Sequence, residues 1–146
     1  MYQRILIATD GTKLSDKAVS SGIALASALD AEVVAFTVVP GYPIMYFEGV
    51  VMSSSAEVDR IEKDWRQQAQ NVVDAVQEEA HRNNVKAKAV TGTGQTAESI
   101  IKAATKHKCD LIVMASHGRK GISRVLLGSE TLDVLTHSHV PVLVLR

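Results

Sequence analysis

Short apolar runs alternate with segments whose apolar residues recur every three or four positions, and this alternation holds along the chain. RILIATD (4–10) is apolar, rich in β-branched residues and closed by turn residues, the pattern of a strand buried on both faces. In SDKAVSSGIALASAL (15–29), Ala18, Val19, Ile23, Ala26 and Leu29 fall at helical spacing, and Ser15 stands at the expected N-cap. AEVVAFTVVP (31–40) predicts a second strand closed by Pro40; GYPIMYFEGVVMSSS (41–55), with two glycines, a proline and a serine run, predicts a long loop. The longest helical segment covers 56–84, where Val58, Ile61, Trp65, Ala69, Val72, Val73 and Val76 form one stripe, read as a core face, and charges occupy the rest. VKAKAVTG (85–92) alternates polar and apolar residues, which suits a strand with one exposed side or a strand at a sheet edge. TAESIIKAATKHK (96–108) predicts a helix capped by Thr96, DLIVMAS (110–116) a fourth buried strand, SETLDVLTHS (129–138) a helix and VPVLVLR (140–146) a fifth strand.

Strands alternating with helices imply a parallel sheet with right-handed crossovers and helices on both faces, a doubly wound α/β fold, here in one domain spanning 1–146. Such sheets bind ligands beyond the carboxyl ends of the strands, where strand order reverses. That rule selects TDGT after the first strand, VVPG after the second and ASHGRKG after the fourth.

Composition narrows the partners. With 16 Lys and Arg against 16 Asp and Glu the formal net charge is zero, so no global field draws the chain to nucleic acid or to an anionic membrane, and any anion binding is local. One tryptophan among few aromatics leaves no stacking platform for single-stranded nucleic acid. No apolar run approaches the length of a membrane span and the start, MYQRILIATDGT, is too quickly polar for a signal peptide, so a cytoplasmic protein is expected. Cys109, the single cysteine, excludes an internal disulfide, fits a reducing compartment and reads as a buried small hydrophobe.

The stretch ASHGRKGISRVLLGS (115–129) carries the candidate chemistry. Glycines at 118, 121 and 128 allow close backbone approach, and Ser129 opens a helix whose free N–H groups favour phosphate. Arg119, Lys120 and Arg124 add cationic donors. These residues describe a phosphate cradle without a Walker signature, and equally a glycine turn with solvated charges. Asp10, at the end of the first strand, can accept from a hydroxyl or amine or hold a metal, or it can form the turn before Gly11 and Thr12.

Other motifs point less far. GTGQTA (92–97) matches a dinucleotide fingerprint but follows the third strand, and reads as a turn plus a helix N-terminus rather than a ligand contact. A phosphoacceptor receiver built on Asp10 needs clustered acids that the first strand lacks, and a final helix after the fifth strand. Ser116 and His117 are neighbours on an extended chain and are expected to point apart, with no G-x-S-x-G elbow around the serine. His117 is therefore taken with the phosphate loop, and His137 and His139 as loop histidines.

From Gly118, nine residues, RKGISRVLL, lead to Gly128 and Ser129, which fits the signature G-2X-G-9X-G-[S/T]. With ILIATD, GQTAESI (94–100) and VPVLVLR, the chain resembles the nucleotide-binding universal stress proteins over its whole length. One departure is Ala115, where the signature has its first glycine: an added methyl beside ribose and phosphates, at a cost in affinity. The resemblance implies an adenine nucleotide alpha hydrolase-like, Rossmann-like sandwich acting as an ATP-binding regulatory or stress-response module, with at most slow ATP hydrolysis and no catalytic residue. It implies adenine read by the backbone of Val38, Asp10 on the nucleoside, and Ala8, Thr9 and Ala115 beside the ribose. Gly118, Arg119, Gly128 and Ser129 would surround the phosphates, with Mg2+ or Mn2+ between phosphate oxygens; Met114, Ser116, His117 and Glu130 complete the expected site. It further implies a homodimer through strand 140–146. The alternative is a member that binds no nucleotide and serves as a dimeric interaction scaffold.

Overall fold

The computed structural model describes residues 1–41, 54–117 and 127–146, together with the backbone of Tyr46–Phe47 and Val50–Val51. Along the chain run β1 (Arg4–Ala8), α1 (Lys13–Leu29), β2 (Glu32–Val38), β3 (Tyr46–Phe47), β4 (Val50–Val51), α2 (Ser55–Arg82), β5 (Ala87–Gly92), α3 (Thr96–Lys106), β6 (Leu111–Ala115), α4 (Ser129–His137) and β7 (Val142–Leu145). Five strands form one parallel sheet in the order β5-β2-β1-β6-β7, so the strand order reverses between β1 and β6.

Alternation along the strands builds two hydrophobic layers. Ile5, Ile7, Val33, Ala35, Leu111 and Val113 lie in one with the buried faces of α1 and α2; Leu6, Ala8, Val34, Phe36, Ile112 and Met114 lie in the other with residues of α3 and α4. Because β1 and β6 are apolar at successive positions they fill both layers, as continuous apolar runs in a doubly covered parallel sheet must. Ile5, Leu6, Ile7 and Ile112 are fully buried, and each such side chain contributes roughly 1.5–3 kcal/mol of transfer free energy. β5 takes one sheet edge, one of the two settings its polar alternation suits, and β7 takes the other.

Several details differ from the sequence expectations. Inside the predicted loop 41–55, β3 and β4 pair antiparallel, consistent with the strand preference of their aromatic and β-branched residues. α1 starts earlier than Ser15, with Thr12 as N-cap; Ser15 is buried in the first turn and its hydroxyl donates to the Thr12 carbonyl. Likewise Gln95, not Thr96, occupies the N-cap position of α3, and its side chain makes no capping hydrogen bond. The long α2 stripe is not core throughout. Ala69, Val73, Val76 and Ala80 are buried, whereas Val58, Ile61 and Trp65 are half-buried. His137 is the last residue of α4, its ring nitrogen 2.9 Å from the Asp133 carbonyl, and is not a loop residue.

At the amino ends of the strands, Asp110 accepts from the backbone N–H groups of Gln3 and Arg4. The Arg4 guanidinium donates to Glu32 at 2.7 Å and to the His107 carbonyl at 3.0 Å, which ties β1 to β2 and to the end of α3. This clasp lies at the opposite end of the sheet from the candidate ligand loops. Cys109 is buried beside it, and burial pushes its thiol up to about 11.

Candidate functional site

The turn after β1 is a closed hydrogen-bond circuit. Thr9 N–H donates to the Phe36 carbonyl, Gly11 N–H donates to Thr9 Oγ1, and Thr9 Oγ1 lies 2.8 Å from Ser15 Oγ. Asp10 Oδ1 accepts from both the N–H and the hydroxyl of Thr12, at 3.0 and 2.6 Å. Asp10 is therefore a turn former, and it also faces the cavity described below. Gly11 is held at φ +77°, and a Cβ there would lie 2.7 Å from Val72 Cγ2, so a bare backbone lets this turn sit against α2.

Beside it, β2 outruns its neighbour. Pairing with β1 ends at Ala8 and Phe36, while pairing with β5 continues to Val38 and Gly92. The β1-facing edge of Val38, one N–H and one C=O, is left open above the point where the chain turns into Thr9 and Asp10.

The third loop leaves β6 at Ala115 and returns at α4. Its ends are clamped: Gly128 N–H donates to the Ser116 carbonyl at 2.9 Å, and Thr131 Oγ1 donates to the Ala115 and Ser116 carbonyls at 3.0 and 3.2 Å. A Cβ on Gly128 would sit 3.2 Å from the Ser116 carbonyl oxygen and 3.4 Å from His117 Cα, tight backbone contacts that explain glycine at this N-cap. Ser116 and His117 do meet, against expectation, with Ser116 Oγ 3.0 Å from His117 Nδ1. The physical reason is that β6 has ended at Ala115, so strand alternation no longer governs them.

All three loops border one cavity of ≈ 680 Å³ at the switch point. Of the expected site residues, Ala8, Thr9, Asp10, Val38, Met114, Ala115, His117, Gly128, Ser129 and Glu130 line it. Ser116 is buried behind the wall, holding the clamp. Gly118 and Arg119, with Lys120, Gly121 and Arg124, lie outside the described residues. Sequence reasoning missed two walls. Trp65, Gln68, Ala69 and Val72 of α2 form one; Gly94, Thr96 and Ile100 form part of the other, so GTGQTA does reach the cavity after all. The pairing of β5 beside β2 brings it there.

Two helix N-termini open on the cavity, alongside the acidic Asp10 and Glu130. The N-termini of α3 (Thr96) and α4 (Ser129 and Glu130) both open on it, and neither has a side-chain cap; α2, whose first residues do not line it, is capped by Ser54, which accepts from Glu57 N–H. Free N–H groups and the positive dipole ends of two helices thus face the same space. Among the described residues no group of three or more His, Cys, Asp or Glu could hold a metal ion.

Fold and cavity together define a doubly wound α/β protein with a ligand-sized cleft at the carboxyl ends of its strands. The family model of the universal stress proteins matches residues 1–146, and the chain belongs to that family. It is 36% identical over 146 residues to universal stress protein MJ0531 of Methanocaldococcus jannaschii, covering 100% of this chain and 83% of that protein. Among solved structures, a universal stress protein UspA from Lactobacillus plantarum shares the fold with a TM-score of 0.84 at 22% identity, over 99% of this chain and 98% of that one. A universal stress protein in complex with cAMP superposes with a TM-score of 0.70 at 21% identity, over 99% and 97%. One from Archaeoglobus fulgidus in complex with dAMP does so at 0.67 and 15%, over 99% and 98%. Related proteins of this fold therefore bind nucleotides. Among the described residues no helix is long and apolar enough to cross a membrane.

Proposed function

We propose that this protein binds ATP in the switch-point cavity and acts in the cytoplasm as a nucleotide-dependent regulatory or stress-response module, with at most slow ATP hydrolysis. One observation carries the reading: the uncapped N-terminus of α4, the Asp10 carboxylate and the open edge of Val38 border the same cavity. A donor and an acceptor on one edge of Val38 match the paired acceptor and donor of adenine, Asp10 accepts from a ribose hydroxyl, and the α4 N–H groups receive phosphate. Ala8, Thr9, Met114 and Ala115 line the middle of the cavity, and His117, Gly128, Ser129 and Glu130 its phosphate end. Gly118 and Arg119 enter this reading through the signature spacing alone. Any Mg2+ or Mn2+ is held mainly by phosphate oxygens, since the described protein groups form no cluster of metal ligands.

The test is calorimetric titration of nucleotide-stripped protein with ATP and magnesium, with GTP as control. Saturable micromolar binding selective for ATP is expected, and at 100 times Kd it should add about 2.7 kcal/mol of stability. Absence of both heat and thermal stabilisation refutes the reading.

A second feature supports a homodimer. β7 is a sheet edge, with Leu143 exposed, and Leu132 and Leu135 of neighbouring α4 are exposed beside it. A two-fold partner pairing antiparallel through 140–146 covers that edge. Light scattering at micromolar concentration should report twice the monomer mass. The same surface supports the scaffold alternative should the Ala115 methyl abolish nucleotide affinity.

A further inference from the structure

Six polar side chains are buried among the described residues, and five of them have hydrogen-bond partners. Thr9 pairs with Ser15, Ser15 also with the Thr12 carbonyl, Ser99 with the Thr93 carbonyl, Ser116 with His117, and Thr131 with two carbonyls. The sixth is Thr37. It is 6% exposed, it borders the cavity, and no described residue gives its hydroxyl a hydrogen bond. Thr37 Oγ1 is not among the atoms closed off from solvent, so its hydrogen bonding is open to whatever occupies the cavity, water or a ligand.

Its direction follows from β2. Val33 and Ala35 belong to the layer beneath α1 and α2, Val34 and Phe36 to the opposite one. Thr37 continues the first set, so its side chain is turned to the α2 side, where Trp65, Gln68 and Val72 wall the same cavity. This is the base end, one residue from the open edge of Val38 and separated by β1 from β6, which leads to the α4 N-terminus that suits phosphate.

We infer that Thr37 is a ligand-contacting residue whose hydroxyl hydrogen-bonds the nucleobase from the α2 side, beside the Trp65 ring, making β2 and α2 together the base-selecting wall. The inference rests on the nucleotide reading above. A hydroxyl both donates and accepts, so it completes its hydrogen bonding with a ring nitrogen or with an exocyclic amine. Valine has nearly the same shape and suits a buried strand, so Thr37→Val removes the contact without opening a cavity. Serine keeps the hydroxyl.

The experiment titrates wild type, Thr37→Val and Thr37→Ser with ATP and with adenosine, following the emission of Trp65, the single tryptophan of the chain, and calorimetric heat. Thr37→Val is expected to weaken both ligands about tenfold, which is about 1.4 kcal/mol, because the lost contact is at the end they share. Thr37→Ser should stay within about threefold of wild type, a difference of less than 1.4 kcal/mol. Without ligand, Thr37→Val should melt at or above the wild-type temperature, since no described residue loses a hydrogen bond to it. Wild-type affinity for ATP in Thr37→Val overturns this inference alone, as does a lower melting temperature in the unliganded variant, which would show that the fold itself uses the hydroxyl. If wild type binds neither ATP nor adenosine, the nucleotide reading and this inference fall together.

Discussion

Replacing Thr131 by valine tests whether the clamp between α4 and the end of β6 holds the candidate site together. Thr131 is 2% exposed, and its hydroxyl donates to two carbonyls, Ala115 at 3.0 Å and Ser116 at 3.2 Å. Valine matches the volume, so no cavity contribution enters. What is lost is a shared hydrogen bond, and a methyl now faces two carbonyl oxygens. The Ser116 carbonyl keeps the Gly128 N–H at 2.9 Å, so it is not stranded, and the cost falls mainly on Ala115. The Ala115 carbonyl is only part-buried and borders the cavity, so water can replace the lost donor and the cost is that of an ordinary hydrogen bond, about 1 kcal/mol. For a domain of this size that lowers Tm by about 3 °C. Scanning calorimetry and urea titration measure it, with the urea slope unchanged if only stability has moved. Nucleotide affinity should fall as well, because the first turn of α4 is no longer fixed against the loop. A change in stability of less than about 0.5 kcal/mol, typical of an inert surface substitution, would refute the clamp.

Other perturbations follow from the same geometry. Gly11→Ala forces a side chain to φ +77° with its Cβ 2.7 Å from Val72 Cγ2; a penalty of about 1–2 kcal/mol is expected from the backbone alone. The pair Gly11→Ala and Val72→Ala should lose less than the sum of the single changes, and strict additivity in a double-mutant cycle would sink the contact. The Cys109 thiol, buried and pushed up to about 11, should resist a disulfide reagent at pH 8 in the folded protein and react at once in denaturant; rapid stoichiometric labelling of native protein would contradict its burial. His107 is held below its ordinary pKa by burial first and then by Lys88, Lys106 and Arg4. The unfolded chain therefore binds the proton more readily, so this contribution is present above the unfolded value of about 6.5 and is lost as the pH falls below it. His107→Gln should flatten the stability profile between about pH 7 and 5, the window of an ordinary histidine, and an unchanged acid slope in unfolding titrations would argue against it. Glu32, held low by its hydrogen bonds from Arg4, adds a loss in the same direction at lower pH; being exposed, it contributes weakly.

Much of this molecule is legible along the chain because local periodicity and burial share a cause. Residues apolar at successive positions, as in ILIA and LIVM, are covered on both sides, which requires helices on both faces of a parallel sheet. Turn chemistry at the ends of those runs then marks TDGT, VVPG and ASHG as loops at the ligand-binding end, and all three border the cavity. The spacing from Gly118 to Ser129 is likewise a property of the sequence, as is the polar alternation that suits β5 to an edge.

What the chain leaves open is which surface each residue meets, since that depends on elements distant in sequence. Periodicity cannot distinguish Trp65 from Val73 on one stripe of α2; only the docking of that helix, with its first half reaching past the strand ends, makes one a cavity wall and the other core. Gly94 and Thr96 reach the cavity because β5 pairs with β2, a choice made by sheet topology. Ser116 and His117 touch because β6 stops at Ala115, one residue short of the expected strand 110–116. Thr37 reads as one more strand residue; alternation fixes its face, but only the docking of α2 puts a cavity wall opposite it. Sequence determined the elements and their faces through local steric and solvation preferences; tertiary packing alone decided which polar groups were left facing a common space.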